Sequence, residues 1–146
     1  MQKFCKIVFT LALAFGFSAR PAWATISLVQ KCPSGGITGG NNVGTQVSCS
    51  FSSNNTAGNF IFVFGYVMGS SNNPTLSVAD TAGNSYVSVD NDGDAYHGAK
   101  LWLAYNIAGS ANTVTVTSTQ RADHLYIGGR EYSGVATSAA LDKYTQ

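Results

Sequence analysis

The apolar run at residues 60–67 (FIFVFGYV) constrains the fold of this chain more than any other segment. Aromatic residues alternate with mainly aliphatic ones, so an extended strand here would be apolar on both of its sides. Such a strand belongs in the middle of a sheet or between two layers. Disordered chains lack apolar runs of this length, so we expect a folded domain, although Ser, Thr, Asn and Gly supply 53 of the last 122 residues.

The first 24 residues have the pattern of a secretory signal peptide. Two lysines precede an apolar stretch at residues 7–17, and Ala22-Trp23-Ala24 offers a small-x-small cleavage site. The apolar stretch is too short to span a bilayer. We therefore predict residues 25–146 to be one exported domain with no membrane insertion after cleavage, located at the cell surface, in the periplasm or outside the cell.

The charge of the predicted mature chain argues against two classes of partner. Cleavage removes three of the eight basic residues and none of the seven acidic ones, which leaves a net charge of about −2. A protein that binds nucleic acid needs a basic patch to neutralise phosphates, and the sequence offers none. Polybasic attachment to anionic lipids is disfavoured for the same reason.

Two cysteines, Cys32 and Cys49, remain after Cys5 is removed with the leader. A pair in an oxidising compartment predicts one disulfide, with two free thiols or a redox pair as alternatives. The bond would close a loop rich in glycine and stabilise the domain by about 3 kcal/mol in the loop-entropy model.

Short runs with alternating polarity, separated by turn residues, predict an antiparallel β-sandwich. An Asp-Gly pair within residues 91–94 (NDGD) predicts a hairpin. No segment has the pattern of a helix. Eight strands are predicted, at residues 26–30, 45–53, 60–67, 75–79, 86–89, 100–107, 112–119 and 125–132.

Three stretches together resemble a secreted bacterial β-sandwich module. They are DTAGNSY (80–86), NIAGSANTVTVT (106–117) and EYSGV followed by ALD (131–142). The resemblance covers residues 26–142 and implies a jelly-roll-like fold, without a settled activity or catalytic residues. Members of that group lie beside adhesive or carbohydrate-directed domains. Their chains continue into further strands, whereas this chain stops at Gln146, so the domain is either complete or truncated with an incomplete second sheet. Truncation would expose the aromatic side of residues 60–67.

No arrangement of residues typical of an enzyme is present in the sequence. The two histidines, His97 and His124, are too far apart for the His-Glu-x-x-His pattern of metalloproteases. Gly-x-Ser-x-Gly is missing, and Glu131 is the only glutamate that a glycosidase mechanism could use. We predict a protein that is not an enzyme and needs no cofactor and no catalytic metal.

Asp90, Asp92 and Asp94 raise one metal hypothesis. Alternating carboxylates in a turn can bind Ca²⁺, which prefers oxygen ligands. The glycine does not fall at the position that an EF-hand requires, and a solvated Asp-Gly hairpin is the alternative interpretation.

Carbohydrate binding requires flat aromatic rings beside amides and hydroxyls, and the candidate residues are Tyr96, Trp102 and Asn106. The alternative is that Trp102 packs in the core, as tryptophan usually does in a sandwich. The threonines at 113, 115, 117 and 119 form either a flat ligand surface or the solvated side of a strand.

The sequence therefore predicts a non-catalytic β-sandwich module that binds glycans or other cell-surface polymers. The alternative is a structural spacer or assembly unit that packs against neighbouring domains or copies of itself. An exposed Trp102 would favour the first function, and a buried Trp102 with an open apolar edge would favour the second.

Overall fold

The computed structural model describes residues 25–69, 74–94 and 96–138, with backbone only at 42, 43 and 90–92. This part of the chain is all β-structure without a helix, as the sequence predicts. Its seven strands are β1 (Ser27–Cys32), β2 (Thr38–Ser50), β3 (Phe60–Gly69), β4 (Leu76–Asp80), β5 (Val87–Gly93), β6 (His97–Ala104) and β7 (Thr113–Ser133).

All seven strands belong to one antiparallel hydrogen-bonded sheet with the main order β1-β7-β3-β6-β5. The long strand β7 organises it, because β1, β2, β3 and β4 all pair with β7. The first part of β7 lies between β2 and β4, while its second part pairs with β3 on one side and with β1 and the start of β2 on the other. The predicted antiparallel all-β fold is confirmed, as one continuous sheet.

The buried side of β7 changes phase along the strand. Val114, Val116 and Ser118 are buried in the first part, whereas Leu125 and Ile127 are buried in the second, so the buried positions move from even to odd numbers. The register with β2 shifts on both sides of Gly44, opposite Ala122. Such irregularities bend a strand and redirect its side chains. The two halves of β7 therefore belong to differently oriented parts of the sheet.

The core joins these two parts. A Cβ atom on Gly65 of β3 would lie 2.9 Å from Trp102 Cζ3 on β6 and 3.2 Å from Val116 Cγ1 on β7. Val116 pairs with β2 and β4, so its approach to Gly65 of β3 crosses from one part of the sheet to the other. Close packing across this gap requires glycine at position 65.

The predicted disulfide is confirmed between Cys32 and Cys49, whose Cα atoms are 5.4 Å apart. Both cysteines are buried in the core, where they join the end of β1 to β2. A disulfide is compatible with an extracellular or periplasmic location.

Several predicted boundaries were wrong. The glycine-rich segment before residue 45 is not only loop, because β2 already begins at Thr38. The strands predicted at 112–119 and 125–132 are a single strand, since β3 and the start of β2 continue the hydrogen bonding through the residues between them. A hairpin of β5 and β6 exists, but the Asp92-Gly93 pair lies at the end of β5 and not in the turn, since Gly93 is paired to Gly98. The predicted signal peptide and the chain end at Gln146 lie outside the described residues.

Candidate functional site

The outward side of the β7-β3-β6 region carries a group of partly exposed rings, which we call the aromatic face. On β3 the residues alternate strictly, so that Ile61, Val63 and Val67 are buried while the aromatic residues between them keep partial contact with solvent. The seven rings of the aromatic face are Phe60, Phe62, Phe64, Tyr66, Tyr105, Tyr126 and Tyr132.

The strand register brings these rings side by side. Phe60 lies opposite Tyr132 and Tyr66 lies opposite Tyr126, so each pair projects from the same side of the sheet. The ring centroids of both pairs are 6.4 Å apart, and Tyr105 reaches to 5.2 Å from Phe60. All three pairs are tilted, an arrangement that aromatic side chains favour. A broad apolar surface with several phenol groups results.

Two cations border this surface. Lys31 of β1 lies directly opposite Arg130 of β7, and Arg130 lies opposite Phe62 of β3. Among the described residues, the single ion pair joins His97 to Asp94, so neither Lys31 nor Arg130 has a carboxylate partner there. Like charges placed directly opposite each other destabilise a sheet slightly. An anionic group bound at this place would remove that repulsion.

The first half of β7 has a different outer surface, which we call the hydroxyl face (Ser48, Ser50, Thr113, Thr115 and Thr117). The Oγ atoms of Ser48 and Thr115 lie 2.8 Å apart, and those of Ser50 and Thr113 lie 2.7 Å apart. The hydroxyls of β2 and β7 therefore supply part of each other's hydrogen bonds. The threonine row predicted from the sequence exists, as the solvent side of the β2-β7-β4 region.

Asp80 forms a hydrogen-bonded cluster at the end of β4. Its carboxylate accepts bonds from Asn84 N and Nδ2, Tyr86 Oη and Asn112 Nδ2, at 2.7 to 2.9 Å. Burial raises the pKa of Asp80, but these bonds lower it by more, so the pKa lies below its usual value. Burial and the neighbouring carboxylate raise the pKa of Tyr86 well above its ordinary value. The DTAGNSY stretch thus supplies three members of a structural cluster.

A surface cleft of about 390 Å³ lies beside this cluster, lined in part by Asp80, Tyr86, Lys100 and Trp102. The Asp80 and Tyr86 groups on its wall are bonded to each other, and Lys100 Nζ lies over the Trp102 ring, 5.9 Å from its centroid. The Asp80, Tyr86 and Lys100 side chains of the cleft are thus already engaged in contacts within the protein. We therefore favour the aromatic face as the candidate site.

Glu131 is fully buried on the inward side of β7 and forms the centre of a second hydrogen-bonded cluster, besides that of Asp80. Its carboxylate accepts hydrogen bonds from Gln30 Nε2, Asn55 Nδ2, Thr56 N and Asn59 Nδ2, at 2.6 to 2.9 Å. Burial raises the pKa of Glu131, yet the four bonds lower it by more, so that it lies below its usual value. With every bond directed to β1 and the loop before β3, this carboxylate holds the fold together.

The three residues predicted to bind carbohydrate are not brought together. Tyr96 is exposed (54 %) before the start of β6, whereas Asn106 is exposed beyond the other end of that strand. Eight strand residues span about 27 Å. Trp102 is buried (4 %) on the opposite side from the aromatic face.

The aromatic face was not identified as a binding site from the sequence. The sequence signal that could have revealed it is the alternation of aromatic residues in 60–66 and 126–132.

The aspartates of the proposed calcium site lie on and after β5. Asp94 accepts hydrogen bonds from Tyr96 N and His97 N and pairs with His97 Nδ1, and these bonds lower its pKa. The side chains of Asp90 and Asp92 lie outside the described part. Within that part, no group of three or more His, Cys, Asp or Glu residues is placed to hold a metal ion.

Comparison of the chain with protein-family models, curated proteins and solved structures gives no match. Across the described ranges there is no helix long and apolar enough to cross a membrane.

Proposed function

We propose that this protein is an exported, non-catalytic module that binds a polysaccharide or a similar cell-surface polymer on the aromatic face. The observation that carries this proposal is the set of seven partly exposed rings on one side of the sheet. Sugar rings present apolar C–H surfaces that stack on aromatic side chains, and their hydroxyls bond to polar groups at the border. Tyr66, Tyr126 and Tyr132 offer both ring surface and phenol groups.

The ligand we favour is an acidic polysaccharide. Lys31 and Arg130 lie next to the rings without a carboxylate partner among the described residues. A uronate carboxylate would accept charge-assisted bonds from the Arg130 guanidinium while its sugar ring stacks on the neighbouring aromatic residues. Binding to an acidic polymer should therefore weaken as salt concentration rises, whereas stacking of a neutral polymer should not.

The test is affinity electrophoresis of the protein through gels containing a polyuronate or a neutral glucan. Tyr126→Ala should weaken binding about tenfold, the equivalent of 1.4 kcal/mol from lost stacking. Arg130→Gln should weaken binding to the polyuronate only. Thr115→Ala, on the hydroxyl face, is the matched control. Retention that is the same for Tyr126→Ala and the parent protein would rule out the aromatic face as the site.

We further propose that the curved sheet is a jelly-roll-like sandwich in which the β2-β7-β4 region covers the inner side of β3 and β6. Support comes from Gly65, whose Cβ position is approached by side chains from both regions. This arrangement would explain why Ile61, Val63 and Val67 are buried while the aromatic face keeps partial contact with solvent.

An assembly unit is the second candidate function. The buried position of Trp102 favours it, together with exposed apolar side chains along the edge strand β1, including Leu28 and Val29 (46 % exposed each). An open edge with apolar side chains can pair with a second chain. Light scattering over a concentration series tests this, since Val29→Lys should convert any dimer to monomer. A parent protein that is monomeric at every concentration would eliminate self-association.

A further inference from the structure

Three metal-ligating side chains that are far apart in sequence share one position across the sheet. Met68 on β3 is paired with His97 of β6 on one side and with His124 of β7 on the other. These are the only two histidines of the chain, and the only other methionine is Met1. The fold thus gathers both imidazoles around the one thioether that lies outside the predicted leader.

The geometry places all three side chains on the same side of the sheet. Residues directly opposite each other in an antiparallel pair project in one direction, and neighbouring strands are about 4.8 Å apart. Each histidine therefore flanks Met68 on its own side, within reach of an ion held above the thioether. Met68 and His124 are partly exposed, and the His97 side chain is 43 % exposed, so an ion could enter from solvent.

Neighbouring groups orient both imidazoles. His97 Nδ1 lies 2.9 and 3.0 Å from the two carboxylate oxygens of Asp94, which leaves Nε2 available. A carboxylate behind a histidine is the usual support for a metal ligand. The His124 ring stacks on the Tyr126 ring, with an angle of 10° between the ring planes and 6.4 Å between the ring centroids. An open pocket of about 230 Å³ is lined by Tyr66, Gly93, Asp94, His97 and Ala99, so it gives access to His97 but does not include Met68 or His124.

We propose that His97, Met68 and His124 bind one Cu(I) ion. Thioether sulfur is a soft donor that selects Cu(I), and imidazole suits copper as well. The cysteines Cys32 and Cys49 cannot compete, because their sulfurs form the disulfide. None of the seven rings is a ligand of this site, although the His124 ring stacks on Tyr126 of the aromatic face.

The test is an anaerobic titration with Cu(I) against a chromophoric chelator, using the full chain with Cys5→Ser to remove the remaining thiol. One ion per chain is expected. Met68→Leu, which conserves volume and so preserves the fold, should lower the affinity at least tenfold, as should His97→Gln and His124→Gln. Asp94→Asn should lower it about tenfold by releasing the His97 ring. Asn106→Ala is the control and should leave affinity unchanged.

X-ray absorption of the copper-loaded protein supplies a readout that a structural role would not change. A sulfur scatterer should be present in the parent protein and missing in Met68→Leu. Equal affinity in Met68→Leu and the parent would overturn the proposal, as would absence of sulfur ligation or failure of the parent to compete with the chelator. Thermal melts of each variant exclude unfolding as the cause of a loss.

Discussion

The two halves of β7 present different chemistry to solvent, although they belong to one strand. Outward residues of the first half are threonines that bond to serines of β2, with Thr115 and Ser48 2.8 Å apart. Outward residues of the second half are Tyr126, Arg130 and Tyr132, next to the aromatic row of β3. The hydroxyls of the first surface bond in part to one another, whereas the second surface leaves rings and a cation without such partners. A row of similar side chains on a strand indicates a ligand-binding surface only where those side chains do not already bond to one another.

The inward sides of the two halves are similar in design. Each is anchored by one carboxylate that accepts four hydrogen bonds, Asp80 near the start of β7 and Glu131 near its end. Glu131 is fully buried, whereas Asp80 keeps partial contact with solvent. The comparison predicts unequal consequences when each carboxylate is replaced by its amide.

We expect Glu131→Gln to have the largest effect, a loss of about 3 kcal/mol in the free energy of unfolding. The amide nitrogen would face buried donors that then lack an acceptor. Asp80→Asn should cost about 1.5 kcal/mol, because water can reach the groups that it leaves unpaired. Urea unfolding of both variants measures the difference. Equal losses would show that burial does not distinguish the two anchors.

The same anchors predict how stability depends on pH. Both folded pKa values lie below their ordinary values of 3.8 for Asp80 and 4.5 for Glu131. Their contribution is therefore fully present above about pH 4.5 and is lost as pH falls through the lower folded pKa values. Melting temperature should drop below pH 4.5 in the parent protein, and less steeply in Glu131→Gln. An identical slope in the variant would contradict the assignment of this pH dependence to Glu131.

Gly65→Ala is expected to cost about 2 kcal/mol, because the new methyl group would press on Trp102 and Val116 where the two parts of the sheet meet. Gly35→Ala is the matched control, since no atom lies within 4 Å of its Cβ position. Denaturant midpoints of the two variants give the comparison. If Gly65→Ala is as stable as Gly35→Ala, the two parts of the sheet are not closely packed there.

Local patterns predicted much of this fold. Alternation in residues 60–67 identified β3, and the spacing of turn residues identified an antiparallel all-β domain. The continuity of β7 was not predictable, because the polar residues Gln120, Arg121 and Asp123 suggest a loop, and they lie in a strand only because distant strands pair with it. The register between paired strands was not predictable either. Neither the meeting of Lys31 with Arg130 nor that of Met68 with both histidines can be read from a sequence without knowledge of the pairing.

The smallest expected effect concerns the hydroxyl face. Thr115→Val removes one hydroxyl from a pair that is exposed to water, so the free energy of unfolding should change by less than about 0.5 kcal/mol. Polymer binding should stay at the parent level, whereas Tyr126→Ala should reduce it. Affinity electrophoresis of both variants in the same gel separates the two surfaces. A loss of binding in Thr115→Val with none in Tyr126→Ala would move the ligand to the hydroxyl face, because only a polymer resting on that face would sense a single missing hydroxyl there.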